Sequence, residues 1–383
     1  MHERLRLFIL AGEPSGDRIG ADLVARLRRQ VCLDLMGVGG DELAAEGLVP
    51  IFPMADLAVM GVTDVILRLP RLLWRLEQAA RAVLAQRPDV VVLVDAQDFS
   101  RLLARRLRAR GYRGRLILYV APSVWARHPE RAARLRPLFD AVLAVLPFEP
   151  AVMERLGGPP TYYVGHPALA EQLSTLTARD EGSVLLLPGS REGELRRHLP
   201  VFRALAATLA RQPGVTGLVM PTLPSLRRRL EDEVAGWPVP VEIADRRGER
   251  PALYGAALGA ICVSGTATLE LALARVPMAV VYALDTQQAR IYARLGRPAV
   301  SLPNIILERP LVPELVTADL TAAAVERAAL ALFGSRQARQ VQIAGFGALA
   351  EVMERGQAPH GRQDPAEQVL SIWRGGQRAS IGA

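Results

Sequence analysis

Short, nearly uninterrupted apolar runs recur along this chain, each followed by a turn and a stretch with helical spacing. They fall at 5–10, 33–38, 90–94, 116–120, 141–146 and 162–164, and again at 184–187, 217–220, 239–243, 259–263 and 278–282. Strands of a parallel sheet covered on both faces read this way, because neither face meets water and no polar alternation is needed. Their alternation with helices predicts βα units and therefore the α/β class. Between the two sets, GHPALAEQLSTLTARDEG is polar and rich in small residues, as a linker is. A length of 383 residues also suits two cores better than one. The expected architecture is two Rossmann-like parallel-sheet domains facing across a cleft, 1–167 and 168–345, with 346–383 as a helical tail packing back on the first.

Composition narrows the partners. Half of the residues are hydrophobic and 22% are charged, which leaves too much apolar side chain for a disordered chain. The formal charge is +8, with every basic residue an arginine, and a basic surface is drawn to anionic lipid, phosphate or nucleic acid. Nucleic acid fits least, since the basic clusters hold no interleaved aromatic residues. Cys32 and Cys262 are too few for a disulfide framework and stand in apolar runs where small buried residues are expected; a reducing compartment fits. The run at 5–10 is too short, and too soon followed by Glu13, for a secretion leader, and glycines and hydroxyls break 251–269 before it makes a bilayer span. A cytoplasmic protein is expected. The segment 54–78 combines dense apolar residues with Arg68, Arg71 and Arg75 at helical spacing. It reads equally as an interfacial helix beside anionic head groups or as a core helix rimmed by solvated arginines.

Polar residues gather in turns at the ends of the predicted strands, where helix N–H groups and the positive dipole end favour ligands. In LAGEPSGDRIGADL, Gly12, Gly16 and Gly20 have the wrong spacing for a dinucleotide fingerprint, and Ser15 or Asp17 is placed to cap the next helix. VVVLVDAQDFSRLL puts Asp95 and Asp98 at a buried strand's end, where desolvation raises a carboxyl pKa toward that of a general base. Asp95 also suits a helix cap, so Asp98, freer to face the cleft, is the preferred base. LYVAPSVWARHPE places Ser123 and Trp125 in a loop, the indole suiting a sugar face, lipid or interdomain packing alike. LLLPGSREGELRRHLP offers the Gly189 and Ser190 N–H groups and the Arg191 fork to phosphate, whereas Glu194 suits the helix dipole. In ICVSGTATLELAL, with Thr266 as N-cap, a capping-box carboxylate belongs at 269, yet the carboxylate is Glu270. Thr266 and Glu270 share a helix face, so the carboxylate suits ribose hydroxyls while Ser264, Gly265 and Thr266 face phosphates. That combination fits a sugar nucleotide.

AGEPSGD (11–17), DAQDF (95–99), APSVWA (121–126), LPFE (146–149), VGHP (164–167), LPGSREGE (187–194), SGTATLE (264–270) and SLPN (301–304) stand in this order. Each motif is weak alone; together, from residue 7 to about 315, they resemble the lipid-A-disaccharide synthase family. The resemblance implies the GT-B fold and an inverting, metal- and cofactor-independent glycosyltransferase. It would move 2,3-diacylglucosamine from its UDP derivative to the 6-hydroxyl of 2,3-diacylglucosamine 1-phosphate (lipid X), giving a β-1,6 disaccharide and UDP.

The same resemblance implies Asp98 as the base and Ser190, Arg191, Glu194, Ser264, Gly265, Thr266, Thr268, Glu270 and Asn304 as the UDP-sugar site. Glu13, Ser15, Gly16, Asp17, Ser123 and Trp125 would line the acceptor side. No motif marks the residues that read the acceptor phosphate, for which arginines near the cleft such as Arg18 are candidates. The resemblance further implies a peripheral position on the inner face of the cytoplasmic membrane, with 54–78 as the docking surface, and leaves a homodimer open. The chain departs from the family pattern at Gln97, Ser100 and Arg127. Two other readings are a UDP-N-acetylglucosamine transferase or epimerase of the same fold, whose glycine pattern differs from SGTATLE, and a non-catalytic membrane-associated scaffold.

Overall fold

The computed structural model describes residues 3–57, 62–126, 128–171, 178–245 and 247–381, with backbone alone at 62–68, 170–171, 247 and 376–381. The chain divides into two units, Met1–Pro167 with Met353–Ala383, and Ala168–Val352.

In the first unit β1 (Arg4–Ala11), β2 (Cys32–Val38), β3 (Val90–Val94), β4 (Arg115–Tyr119), β5 (Ala141–Ala144) and β6 (Thr161–Tyr163) form a parallel sheet in the order β2-β1-β3-β4-β5-β6. β3 and β5 are buried at every residue, which is why they read as unbroken Val/Leu/Ala runs. The helix Pro14–Arg28 buries Ile19, Leu23 and Leu27, one side of a 3.6-residue period. Its proline stands at the first turn, where no N–H is needed. The other face packs Phe8, Leu10, Val91 and Leu93 with Leu103 and Leu107 of the helix Gln97–Ala109 and Ala79 and Val83 of the helix Val62–Gln86. The helix Pro365–Ile381 buries Ala366, Val369 and Trp373 and lies against Pro14–Arg28 and β4, with Arg26 on Asp364 at 3.0 Å.

The second unit has β7 (Gly182–Leu187), β8 (Val215–Pro221), β9 (Glu242–Ala244), β10 (Ala257–Cys262), β11 (Met278–Ala283) and β12 (Glu314–Thr317), again parallel, in the order β12-β11-β10-β7-β8-β9. The helix Glu192–Ala210 supplies Leu195, Leu199, Phe202 and Leu209 to a core with Val184, Leu186 and Ile261. Every predicted strand is present. β12 was not predicted: it is a half-buried edge strand that begins with Glu314 and ends with Thr317, so no apolar run marks it.

Strand order locates the functional edge. From β1 the chain turns to β2 on one side, and β3 starts on the other; from β7 it turns to β8, and β10 starts opposite. At the carboxyl ends of β1/β3 and of β7/β10 adjacent connections therefore diverge, and in doubly wound sheets a crevice opens there.

Two expectations change. Cys32 opens β2 at the sheet's edge and is exposed, while Cys262 is buried. In 54–78, the Arg75 guanidinium is buried, bonds Asp56 at 2.7 Å through Nε, and lies 4.1 Å from the Trp74 ring and 4.9 Å from that of Phe52. Arg71 reaches the same carboxylate at 2.6 Å. These two arginines neutralise a buried acid, although the Arg71 side chain stays 58% exposed; Leu69, Leu73 and Trp74 are large apolar side chains that the described part of this helix exposes. The Arg68 side chain and residues 58–61 lie outside the description, as do Arg127 and 172–177 of the linker. Among the described residues no helix is long and apolar enough to cross a membrane.

Candidate active site

The loop after β1 lies flush against the end of β3. A Cβ on Gly12 would stand 2.5 Å from the Ala96 Cβ, closer than side chains come, and one on Gly16 would press on the Val94 carbonyl at 3.2 Å, so glycine suits this approach. Glu13 is the helix N-cap residue, without a side-chain cap bond, and both Glu13 and Ser15 are exposed. Asp17, expected to line the acceptor side, is 3% exposed. Its oxygens accept the N–H groups of Gly40 (2.7 Å), Glu42 (3.0 Å) and Leu43 (3.3 Å), capping the helix Asp41–Ala45. Its lone pairs are spent on backbone, and it fastens one loop to the next.

Asp95 and Asp98 separate clearly. Asp95 and Ala96 have φ of 55° and 47°, and Val120, at the end of β4, has 77°. Left-handed non-glycine residues are strained, and such strain collects at functional sites. The N-cap is Ala96, so Asp95 does not cap the helix. Burial, and secondly the Glu13 charge, push the half-buried Asp95 carboxyl up to about 6. Asp98, the preferred base from sequence, is a surface residue with 78% of its side chain exposed, 3.6 Å from Arg101. The departures from the family pattern support this turn: Ser100 is buried and donates to the Asp95 carbonyl at 2.8 Å, and Gln97 donates to the Ala121 carbonyl at 3.3 Å.

In the β4 loop Ser123 is exposed, and half-buried Trp125 meets Phe148 edge-on, ring centroids 5.3 Å apart. Behind them Glu149 is buried, accepts the Leu146 N–H at 3.0 Å, and has its carboxyl pushed up to about 8 by burial.

In the second unit many polar atoms at the strand ends are already committed. Glu194 is buried and accepts from the Ser190 N–H (3.2 Å), the Arg191 N–H (3.3 Å) and the Arg191 guanidinium (3.2 Å), closing a capping box. Glu194 and the Ser190 N–H therefore shape the turn and are not spare for phosphate, while the Arg191 side chain is 82% exposed. The helix Thr266–Leu273 has Gly265 as N-cap, not Thr266, so Thr268 holds the third position. Its buried hydroxyl donates to the Gly265 carbonyl (2.8 Å) and accepts the Leu302 N–H (3.2 Å). Ser264 donates to the Val300 carbonyl at 2.7 Å. Asn304, expected in the UDP site, is buried; its amide donates to the Val312 carbonyl and to Glu314 and accepts the Val312 N–H, each at 2.8 Å. It ties its helix to β12.

Exposed Gly265 and Thr266, the Arg191 fork and half-buried Glu270 remain for a ligand. Sequence reasoning missed Arg250, which pairs with Glu270 at 3.4 Å and lies twenty positions before it with no marking motif. It also missed His198. This buried ring accepts the Ala283 N–H on Nε2 (2.9 Å), so Nδ1 carries the proton toward the Glu194 carbonyl (2.8 Å). Burial lowers its pKa, keeping it a neutral tie between helix and β11. No group of three His, Cys, Asp or Glu suited to a metal ion occurs among the described residues.

Comparison with known proteins assigns the chain to a family. The sequence profile of lipid-A-disaccharide synthetase matches residues 7–357. The chain is 39% identical over 382 residues to lipid-A-disaccharide synthase of Rhodopseudomonas palustris (strain HaA2), covering 96% of each. It is 40% identical over 381 residues to that of Rhodospirillum centenum, covering 96% of this chain and 94% of the other. Solved structures share the fold at low identity. S. aureus MnaA with UDP has a TM-score of 0.61 at 12% identity, over 96% of this chain and 95% of that one. Acinetobacter baumannii MurG has 0.54 at 13%, over 97% and 99%. The fold is GT-B, and the chain belongs to the lipid-A-disaccharide synthase family, glycosyltransferases of lipid A biosynthesis.

Proposed function

We propose that the chain joins UDP-2,3-diacylglucosamine to lipid X, forming the β-1,6-linked tetraacyl disaccharide 1-phosphate and UDP with inversion and without a metal. Family membership along nearly the whole chain carries this reading. The base is Asp95, not Asp98: it stands at the β1/β3 switch point on a strained backbone, with its proton affinity raised into the range of a base that works near neutrality. Its carboxylate takes the proton of the acceptor 6-hydroxyl as that oxygen bonds to C1 of the donor, and the bond from C1 to the diphosphate oxygen breaks on the opposite face.

The departing diphosphate is met by Arg191 and by the N–H groups at the start of Thr266–Leu273, which supply positive charge where a metal otherwise would. Glu270, steadied by Arg250, accepts the ribose hydroxyls. Glu13, Ser15, Ser123 and Trp125 line the acceptor side. Acylated substrates reside in a bilayer, and Leu69, Leu73 and Trp74 give the first unit an apolar contact with the inner face of the cytoplasmic membrane.

The test is purified protein with both lipid substrates in detergent and EDTA, followed for UDP and for disaccharide mass. Disaccharide formed in EDTA, abolished by Asp95→Asn and kept by Asp98→Asn, supports the transfer, its independence of metal and the base; the anomeric proton coupling of the product reads the inversion. UDP bound with no disaccharide formed points to a different acceptor or to a scaffold.

A further inference from the structure

The helix Thr286–Arg294, which follows β11, buries none of its residues. Soluble helices are normally held by a buried apolar face, yet here Ile291 is 49% and Leu295 61% exposed. It is fixed at its ends instead. Asp285 and Gln288 form a capping box, with the Gln288 N–H on Asp285 at 2.8 Å and the Asp285 N–H on Gln288 at 3.1 Å. Beyond it, the Val300 and Ser301 N–H groups bond Glu314 at 2.9 and 2.8 Å, and the Val300 carbonyl takes the Ser264 hydroxyl. An ordered helix is thus presented outward and tied to the turn that ends in Glu270.

Residues 286–299 contain Arg290, Arg294 and Arg297 and no acid, and none of the three meets a carboxylate among the described residues. Ile291 with Leu295, and Arg290 with Arg294, are four apart and make adjoining stripes. On Val62–Gln86, by contrast, Arg71 and Arg75 are consumed by Asp56. An apolar stripe edged by uncompensated arginines matches an anionic bilayer, with guanidinium groups on lipid phosphates and the apolar side chains in the acyl boundary.

We propose that the segment 286–297 is a second bilayer-contact element, in the unit that carries Glu270, docking on anionic phospholipid independently of Leu69, Leu73 and Trp74. It deepens the membrane-surface reading above and rests on it. The test is flotation of the full chain with phosphatidylcholine vesicles, with and without phosphatidylglycerol. Each arginine near an anionic leaflet contributes roughly fivefold in partitioning, so Arg290→Gln/Arg294→Gln/Arg297→Gln lowers binding to phosphatidylglycerol vesicles about 100-fold. Lysine at all three positions restores most of it, and Ile291→Ser/Leu295→Ser lowers binding to both vesicle types. Turnover in detergent stays at the wild-type level in these variants. The arginine dependence persists in a Leu73→Ser/Trp74→Ser background.

Unchanged vesicle binding by the triple glutamine variant overturns the proposal. So does loss of self-association in sedimentation without loss of flotation, which makes this face a contact between copies. If the wild type floats with neither vesicle, the membrane-surface reading falls together with this one. If it floats through these arginines but makes no disaccharide, the reaction reading falls and this one stands.

Discussion

At the switch point of the first sheet the backbone is strained at Asp95, Ala96 and Val120, and the Asp95 carboxylate has no cationic partner among the described residues. At that of the second, no non-glycine residue of 189–191 or 264–270 has positive φ, and Glu194, Thr268 and Ser264 all have partners. A group that must exchange a proton works best without a partner that fixes its charge, whereas groups that hold a constant negative charge work best when rigid. On the proposed reading the first is a half-site built to titrate and the second one built to stay put.

The sharpest way to break that contrast is to neutralise Asp95. Asp95→Asn lowers kcat by about 10²–10⁴-fold with UDP affinity unchanged, whereas Asp98→Asn stays within a few-fold. The reverse ranking, in a disaccharide assay beside UDP calorimetry, would move the base to the surface carboxylate. Next in size is the exposed fork: Arg191→Ala lowers kcat/KM by about 10²-fold, the usual loss when one transition-state donor is removed. Loss of KM alone, with kcat intact, would mean Arg191 only binds.

Asn304→Ala tests whether the second half-site's polar residues are scaffolding. It leaves both polar groups of Val312 and one Glu314 contact without their amide partner, destabilising the unit by about 3–4 kcal/mol. For a unit of this size that lowers Tm by about 10 °C. UDP affinity of the folded protein stays within about threefold; a large loss of affinity at unchanged Tm would return Asn304 to the nucleotide.

The strands were legible because both faces of a parallel sheet are dry, so β3 and β10 announce themselves as unbroken apolar runs. β12 was not, because an edge strand whose Glu314 serves Val300, Ser301 and Asn304 carries no such run. The strand-end turns were legible as places. What the sequence withheld was the state of each polar atom: Asp17, Glu194 and Asn304 have the residue types of a binding site, and only folding reveals that their lone pairs and protons are taken. Arg250 shows the converse, a partner for Glu270 that no local pattern marks.

The smallest effect is on stability and carries the opposite sign to the loss of activity. Asp95 has its folded pKa raised from 3.8 to about 6, so between these values the folded protein holds more protons than the unfolded one. Stability contributed at this site is full below the unfolded pKa and falls as pH rises through the folded one. At neutral pH the charged form costs about 2 kcal/mol, after solvent screening of a half-buried group. Asp95→Asn therefore raises Tm by several degrees at pH 7.5 and has little effect at pH 3.5, while wild-type kcat/KM falls tenfold per unit below about pH 6. A Tm gain that is the same at both pH values would mean that the charge is not its source; backbone relief would not explain it either, since Asp and Asn tolerate a left-handed turn alike. A pH-dependent gain ties the cost to the Asp95 charge, the one proposed to take the acceptor's proton.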